Sequence, residues 1–339
     1  MSRTNRQWIL ARRPVGDIQD GDLRFVETPV ADPADGTILV RNIYLSLDPT
    51  NRIWMSDRPQ YMPPVEVGDV MRGGTMGVVE ASRHPRFKEG DIVMPGLGNW
   101  QDYVTVSGDM ASPVPQGLGF PLDAWMSVLG MTGATAYFGM KEIGEPQPGE
   151  TLIVSAAAGA VGSVAGQIGR IRGCRVIGLA GSDDKCRWVT EDLGFEACIN
   201  YKTEDVAARL DALCPDGIDI DFENVGGQIM DAILARINNY ARIVLCGLIS
   251  DYNALDPVPG PVNFPMLLMR RARCQGFIVS DYFPRMQEFI GEAGPWLAQG
   301  MLKYRTDIVE GLENAPEAVK RLFTGGNMGK LLVRVSPEP

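Results

Sequence analysis

The sequence predicts an α/β chain in two domains, a doubly wound parallel sheet with helices on both faces and a smaller antiparallel β domain. Three observations predict it. Between Thr151 and Cys246, short apolar runs alternate with helix-period runs in repeating strand–helix order. A turn of small residues, SAAAGAVGS at Ser155 to Ser163, joins the first of these strands to its helix. Residues 1 to about 120 instead carry short apolar stretches broken by Gly, Pro and Asp. A length of 339 residues, 45% of them hydrophobic, is enough to fill two cores.

Taken in order, TILVRNIYLSLD, GTMGVVEAS, GDIVMPGLG and QDYVTVSG read as strands of a small antiparallel barrel or sandwich. Residues 122–142 have long apolar periodicity and few β-branched residues, which predicts a helix, a break near Gly130 and a second helix. The alternation follows: strand 151–155, helix 161–172, strand 175–180, helix 183–193, a short strand at Cys198 and Ile199, helix 205–213, strand 218–223, helix 228–237 and strand 241–246. DYNALDPVPGPVNFP is expected as an ordered loop near the carboxyl edge of the sheet. A helix over 264–271, a strand over 275–279 and a helix over 286–299 come next. The tail from Asp307 to Val335 reads as strand, helix, GGNMG turn and strand, suited to a return to the first domain. The expected division is 1–124 with 308–339 for the β domain and 125–307 for the parallel-sheet domain.

Charge and composition exclude several classes. Lys and Arg number 32 against 42 Asp and Glu, a formal charge of -10 that repels nucleic acid and anionic membrane surfaces. MSRTNRQWILARRP lacks the apolar core of a signal peptide and no run is long enough to span a bilayer, so a cytoplasmic location is expected by default. Cys174, Cys186, Cys198, Cys214, Cys246 and Cys274 are widely spaced without a CxxC, which predicts reduced, partly buried thiols, none marked out as reactive.

The turn carries the chemistry. A five-residue apolar strand runs into small residues and then a helix, the context of a Rossmann dinucleotide fingerprint, with Ala157, Gly159 and Gly162 at the GxGxxG positions. Gly159 admits a pyrophosphate close to the backbone, Gly162 admits the strand close to the helix, and the helix N-terminus offers N–H groups and a positive dipole end. Ala157 departs from the pattern. In VIGLAGSDDKCRW the next strand ends on Ala180, Gly181 and Ser182 rather than on the carboxylate that binds an NAD ribose. Lys185 and Arg187 offer positive charge and Ser182 a hydroxyl, which favours NADP(H). Asp183 and Asp184 are read as first-turn helix acids, with service to a ribose as the alternative.

These stretches, with LSLDP at Leu45 to Pro49, GMTGATAYFGM at Gly130 to Met140, INYKT, DFENVGG, CGLISDYN and GGNMGKLLV, resemble the medium-chain dehydrogenase/reductase superfamily. Within it the likeness is to the leukotriene B4 dehydrogenase and prostaglandin reductase branch, which includes bacterial curcumin reductase-like NADP-dependent oxidoreductases. The resemblance implies a GroES-like antiparallel β-barrel beside the Rossmann domain. It further implies that Gly159, Ala160, Val161 and Gly162 hold the pyrophosphate, and that Lys185 and Tyr201 bind the 2′-phosphate. Asn224 would sit beside the cofactor. Cys246, Gly247, Leu248, Ile249, Ser250 and Tyr252, with Phe277, Ile278 and Val279, would line the nicotinamide; Met131 and Thr132 would touch its face and Asn327 would close the cleft. Ordinary alternatives stand beside several of these: a strand-end aromatic for Tyr201, a helix cap for Asn224, core packing for Met131 and Thr132, and a surface-packed loop residue for Tyr252.

Zinc-dependent relatives use Cys, a GHE-type His and a further Cys or acidic ligand. Residues 1–173 here contain no cysteine, GTMG stands at Gly74 to Gly77 where GHE is expected, and the single histidine, His84, is read as a solvated turn residue. Without a metal to hold an alkoxide, reduction of an activated double bond is the expected reaction: hydride reaches the β-carbon of an enone or alkenal, hydrogen bonds stabilise the enolate, and a proton reaches the α-carbon. Tyr252 is the catalytic candidate for assisting that charge or relaying the proton. An NADPH:quinone oxidoreductase and a non-catalytic NADPH-binding protein are the alternatives. Thr50 stands where the branch frequently has Tyr, which bears on the substrate pocket. The resemblance also implies a homodimer paired through a sheet edge, here Gln275 to Val279.

Overall fold

A computed structural model describes residues 3–115 and 117–339 of the chain. Two compact units emerge: Met1–Met126 with Thr306–Asn327 and Leu331–Pro339, and Ser127–Arg305 with Met328–Lys330.

The second unit is built on six parallel strands, β1 (Thr151–Val154), β2 (Arg175–Ala180), β3 (Ala197–Asn200), β4 (Ile218–Glu223), β5 (Ile237–Leu245) and β6 (Arg273–Gly276). Their order is β3-β2-β1-β4-β5-β6. The chain thus begins mid-sheet, winds outward to β3, and restarts on the other side of β1, leaving a switch point between β1 and β4. This is the doubly wound Rossmann order. The helices are α1 (Met131–Gly139), α2 (Gly162–Ile171), α3 (Asp183–Arg187, continuing into a π turn at Trp188–Asp192), α4 (Val206–Leu213), α5 (Gly227–Leu234) and α6 (Met286–Ala298).

Period-two alternation sends the strand side chains to two covers. Leu152 and Val176 pack at Gly169 of α2, and Phe222 and Val244 at Gly139 of α1. Ile153, Ile177, Ile199 and Ile243 face the other way, forming one core with Leu210 of α4 and Met230, Ile233 and Leu234 of α5.

Four elements differ from expectation. The strand expected at 275–279 is Arg273–Gly276, because Phe277 leaves the sheet to pack on Gly139 and the chain then tightens into a 3₁₀ turn over Val279–Arg285. The helix expected at 264–271 is limited to Met266–Met269, its end set by Arg271 in the left-handed region. Helix 228–237 stops at Leu234 and β5 starts at Ile237, four residues early. The break expected near Gly130 is present and separates Leu122–Trp125 from α1.

The first unit pairs Thr4–Leu10 with Leu23–Pro29 and builds a seven-stranded sheet on Thr37–Ser46, which lies antiparallel to Thr75–Ser82, Tyr103–Ser107 and the C-terminal strand Lys330–Arg334. One of its cores gathers Leu10, Leu45, Trp54, Trp100, Leu331 and Val333. His84 corrects its reading as a solvated residue: its side chain is 8% exposed, Nε2 lies 3.3 Å from Asp109 Oδ1, and the ring fills the space beside Gly108. No helix among the described residues is long and apolar enough to cross a membrane.

Asp221 is the anomaly of the parallel-sheet core. On β4 it is in register with Ile153 and Ile243, facing the apolar side under α4 and α5, and neither carboxyl oxygen has a hydrogen-bond partner among the described residues. Burial, and then the nearby Glu223, push its pKa well above the ordinary 3.8. The group is therefore neutral in the fold and ionised in the unfolded chain once pH exceeds about 4. Its relative stabilisation is full below that value and is lost as pH rises toward the folded pKa. Asp221→Val is expected to raise stability at pH 7 by roughly 1–3 kcal/mol and to flatten the decline above pH 4, read by urea unfolding across pH; an unchanged or lower midpoint overturns this account.

Candidate functional site

The turn after β1 is held by contacts that admit no spare atom. Ala156 takes a left-handed conformation, φ +49°, an uncommon one for a residue with a Cβ. It reverses the chain so that Ala156 O accepts from Gly159 N at 2.9 Å. A Cβ on Gly162 would lie 2.5 Å from that same carbonyl oxygen, so α2 can start this close to β1 only with glycine there. Ala157 is the departure from the fingerprint, and the reason it fits lies on β2: Gly178 faces its methyl, and a Cβ there would come within 2.7 Å. Gly159 also bridges Gly329 in parallel, and Gly329 N donates to Ala158 O at 2.9 Å. Gly329, at φ +71°, would place a Cβ 2.1 Å from Arg305 O. Among the described residues the Val161 N–H, at the start of α2, donates to no backbone carbonyl, and α2 has no side-chain cap. The turn therefore presents backbone donors at a helix start, with the small cradle a phosphate needs.

Across the switch point Ser155 joins β1 to β4. Its hydroxyl donates to Glu223 Oε1 at 2.6 Å and accepts from Asn224 N at 2.7 Å, while the Asn224 side-chain amide donates to Ser155 O at 2.7 Å. Glu223 Oε1 also accepts from Val225 N at 2.5 Å and Gly226 N at 3.0 Å. Burial raises the Glu223 pKa, and these hydrogen bonds oppose the rise. So Glu223, not Asn224, satisfies the N–H groups leading into α5, and Asn224 braces the turn. Neither Ser155 nor Glu223 was singled out from the sequence; only their places at two strand ends in a doubly wound order could have pointed to them.

At the end of β2, Ser182 Oγ accepts from Lys185 N at 3.3 Å and caps α3. Asp183 Oδ1 is held by the Asn200 side-chain amide at 2.7 Å, and Asp184 pairs with Arg187. Both acids therefore already have partners. The Tyr201 hydroxyl and the Lys202 stem lie against Gly181, where a Cβ would meet them at 2.6 and 3.3 Å. Burial raises the Tyr201 pKa. Ser182, Lys185, Tyr201 and Lys202 thus gather at one corner, and Lys202 is a member that sequence reasoning passed over within INYKT.

The loop after β5 folds over the end of β4. Cys246 N and Gly247 N donate to Glu223 O at 2.9 and 3.1 Å, Ile249 N to Asn224 O, and Ser250 N to Val225 O. Burial pushes the Cys246 thiol up to about 12, so it is a neutral packing group. The Tyr252 hydroxyl oxygen accepts from Leu248 N at 3.2 Å, beside Gly247. Phe277 turns its ring to α1 and Tyr282, so Ile278 and Val279 continue the segment by their backbone. Thr132 is buried and donates to Ser127 O at 3.1 Å, while Met131, the first residue of α1, is half-buried. Asn327 belongs to the tail segment assigned to the first unit. No group of three or more His, Cys, Asp and Glu side chains with metal-binding geometry occurs among the described residues.

Sheet order and turn define the chain as a dinucleotide-fold protein with a second, antiparallel unit. The family described as N-terminal domain of oxidoreductase matches residues 6–114, and that described as zinc-binding dehydrogenase matches residues 160–293. The chain is 47% identical over 340 residues to the NADPH-dependent curcumin reductase of Escherichia coli, covering 98% of this chain and 97% of that one. It is 37% identical to the NADP(+)-dependent 2-alkenal reductase of Nicotiana tabacum, with 99% and 98% covered. The crystal structure of CurA in complex with NADPH from Vibrio vulnificus superposes with a TM-score of 0.93 at 44% identity, covering 98% of this chain and 100% of that one. The chain belongs to the zinc-independent medium-chain dehydrogenase/reductases, in their curcumin reductase-like branch.

Ser155→Ala removes the donor to Glu223 and leaves a buried carboxyl short of one partner. A loss of roughly 1–3 kcal/mol is expected, measured by denaturant unfolding with the native circular dichroism retained; an unaltered midpoint removes Ser155 from the bracing role.

Proposed function

We propose that this chain is an NADPH-dependent reductase of the carbon–carbon double bond of α,β-unsaturated ketones and aldehydes. The observation that carries the cofactor choice is the corner at the end of β2. Its two acids are engaged, by Asn200 and Arg187, while Ser182, Lys185, Tyr201 and Lys202 converge there. A 2′-phosphate finds donors at such a corner where an NAD ribose would want a carboxylate acceptor. Similarity along 98% of the chain to a curcumin reductase and 99% to an alkenal reductase supports the reaction class.

Bound NADPH supplies the hydride. The turn from Gly159 through Ala160 and Val161 to Gly162 holds the pyrophosphate, and Lys185 and Tyr201 hold the 2′-phosphate. Asn224, the Cys246–Ser250 segment, Phe277 to Val279, Met131 and Thr132 border the nicotinamide. Tyr252 is the proposed proton relay: its oxygen already accepts the Leu248 N–H, an arrangement that orients the phenol and favours release of its own hydrogen.

Mixing the protein with NADPH and a long-chain 2-alkenone is expected to bleach nicotinamide absorbance with a saturated ketone as product. Consumption of a quinone in preference makes it a quinone reductase, and tight NADPH binding with neither acceptor consumed makes it a binding protein. Lys185→Ala is expected to weaken NADPH by roughly tenfold or more and NADH by less than about twofold. Equal affinity of the unaltered protein for both cofactors overturns the 2′-phosphate assignment.

The working form is proposed to be a cytoplasmic homodimer. β6 is the outer strand of the sheet, all four of its residues are exposed, and Tyr240, Phe264, Leu268 and Met269 add exposed apolar surface on segments beside and before it. An open edge next to apolar surface favours pairing with a second copy. Light scattering is expected to give twice the 37.0 kDa chain mass, and Leu268→Glu to shift it toward one; a single-chain mass for the unaltered protein overturns the dimer.

A further inference from the structure

The cofactor corner contains two thiols that its proposed role does not use. Cys198 on β3 is in register with Gly178 on β2, so both face the same side of the sheet. That side is covered by the helical segment of α3 and its π extension, for Val189 lies 3.1 Å from the Cβ position of Gly178. Cys186 precedes Val189 by three residues on the same segment, one helical turn back, and so faces the sheet above Cys198. The segment carrying Cys186 packs on β3 at this point, and both thiols are free and half-buried rather than sealed. The eleven residues between them carry no pattern from which the pairing could be read.

We propose that Cys186 and Cys198 form a peroxide-sensitive dithiol that closes to a disulfide, and that occupancy of the adjoining Ser182–Lys185 corner sets how fast it closes. Hydrogen bonding from Cys198 lowers the Cys186 pKa, whereas that bond and burial raise Cys198. Cys186 is thus the nucleophile and Cys198 the resolving thiol. The Cys186 thiolate attacks one oxygen of a hydroperoxide, the O–O bond breaks, and the departing oxygen leaves as water or alcohol after taking a proton. The resulting sulfenic acid is displaced by Cys198, forming the S–S bond and releasing water. Two thiols are oxidised by two electrons and one peroxide is reduced. The second clause of the proposal rests on the 2′-phosphate reading: a dianion held by Lys185, the residue next to Cys186, disfavours the thiolate there.

The test uses the whole protein with hydrogen peroxide, followed by thiol counting and peptide mass mapping without reduction. Of the six thiols two are expected to disappear, with one cross-linked peptide pair carrying Cys186 and Cys198, reversed by dithiothreitol and absent from Cys186→Ser and Cys198→Ser. Sulfinic acid at Cys186 without a cross-link, or a cross-link through other cysteines, overturns the dithiol. Saturating NADPH is expected to slow closure by about threefold more than saturating NADH. Equal rates with both overturn the coupling to the phosphate corner while leaving the disulfide standing. A Lys185→Ala protein that loses NADPH selectivity yet never cross-links shows the reverse, a sound cofactor reading and a failed dithiol.

Discussion

The contact on which the site depends is the approach of α2 to β1 at Gly162, where no side chain fits beneath the Ala156 carbonyl. Closeness there has three consequences. The helix start faces the end of the strand, so its N–H groups gather at one point. Ala156 must enter the left-handed region to make the reversal, a local cost accepted because the surrounding packing leaves no alternative. The switch point between β1 and β4 comes directly beside the turn, which lets Ser155 reach Glu223 and Asn224. Turn, helix and neighbouring strand are then a single hydrogen-bonded body, and a bound phosphate meets donors already oriented toward it.

Much of this could be read before any coordinates. The alternation from Thr151 onward specified parallel strands and covering helices because each strand is apolar on both faces and each helix on one. What escaped was contact across strands. Ala157 stood as a defect in the fingerprint until Gly178 was seen opposite it; two positions twenty-one residues apart trade a methyl for a hydrogen. The same holds for Lys202, which lies against Gly181, and for the placement of Cys198 in register with Gly178, since neither follows from chain neighbours. Phe277 misled in the opposite direction. It looks like strand material, but its ring belongs to the packing on Gly139, and the sheet ends one residue before it. His84 shows the limit of composition: a lone histidine in a polar turn reads as solvated, yet the absence of a side chain at Gly108 gives its ring a place to bury.

The cofactor corner was only half legible. That β2 ends on Ala180, Gly181 and Ser182 without a carboxylate is a statement of sequence, but two aspartates follow at once and could have restored the acidic partner of a ribose. In the structure each acid has a partner, Asp183 the Asn200 amide and Asp184 the Arg187 guanidinium. Selectivity at such a corner is therefore set as much by what engages Asp183 and Asp184 as by the cations beside them: Arg187 offsets the charge of Asp184, while the Asn200 amide occupies an oxygen of Asp183 without cancelling its charge.

The two buried acids of β4 make the converse point. Asp221 and Glu223 share a strand face two residues apart, and both are desolvated. Glu223 lies at the carboxyl end of the sheet, where the Ser155 hydroxyl and the Val225 and Gly226 N–H groups come to it; one pleat deeper, Asp221 meets only isoleucines in register. The difference is one of position along the strand. Open α/β sheets bring donors to the carboxyl ends of their strands, from loop backbones and helix starts, and none to their middles. An acid at the strand end can be held and put to use by the fold. The same acid two residues earlier must surrender its charge, which is why the bracing of the site runs through Glu223 and stops there.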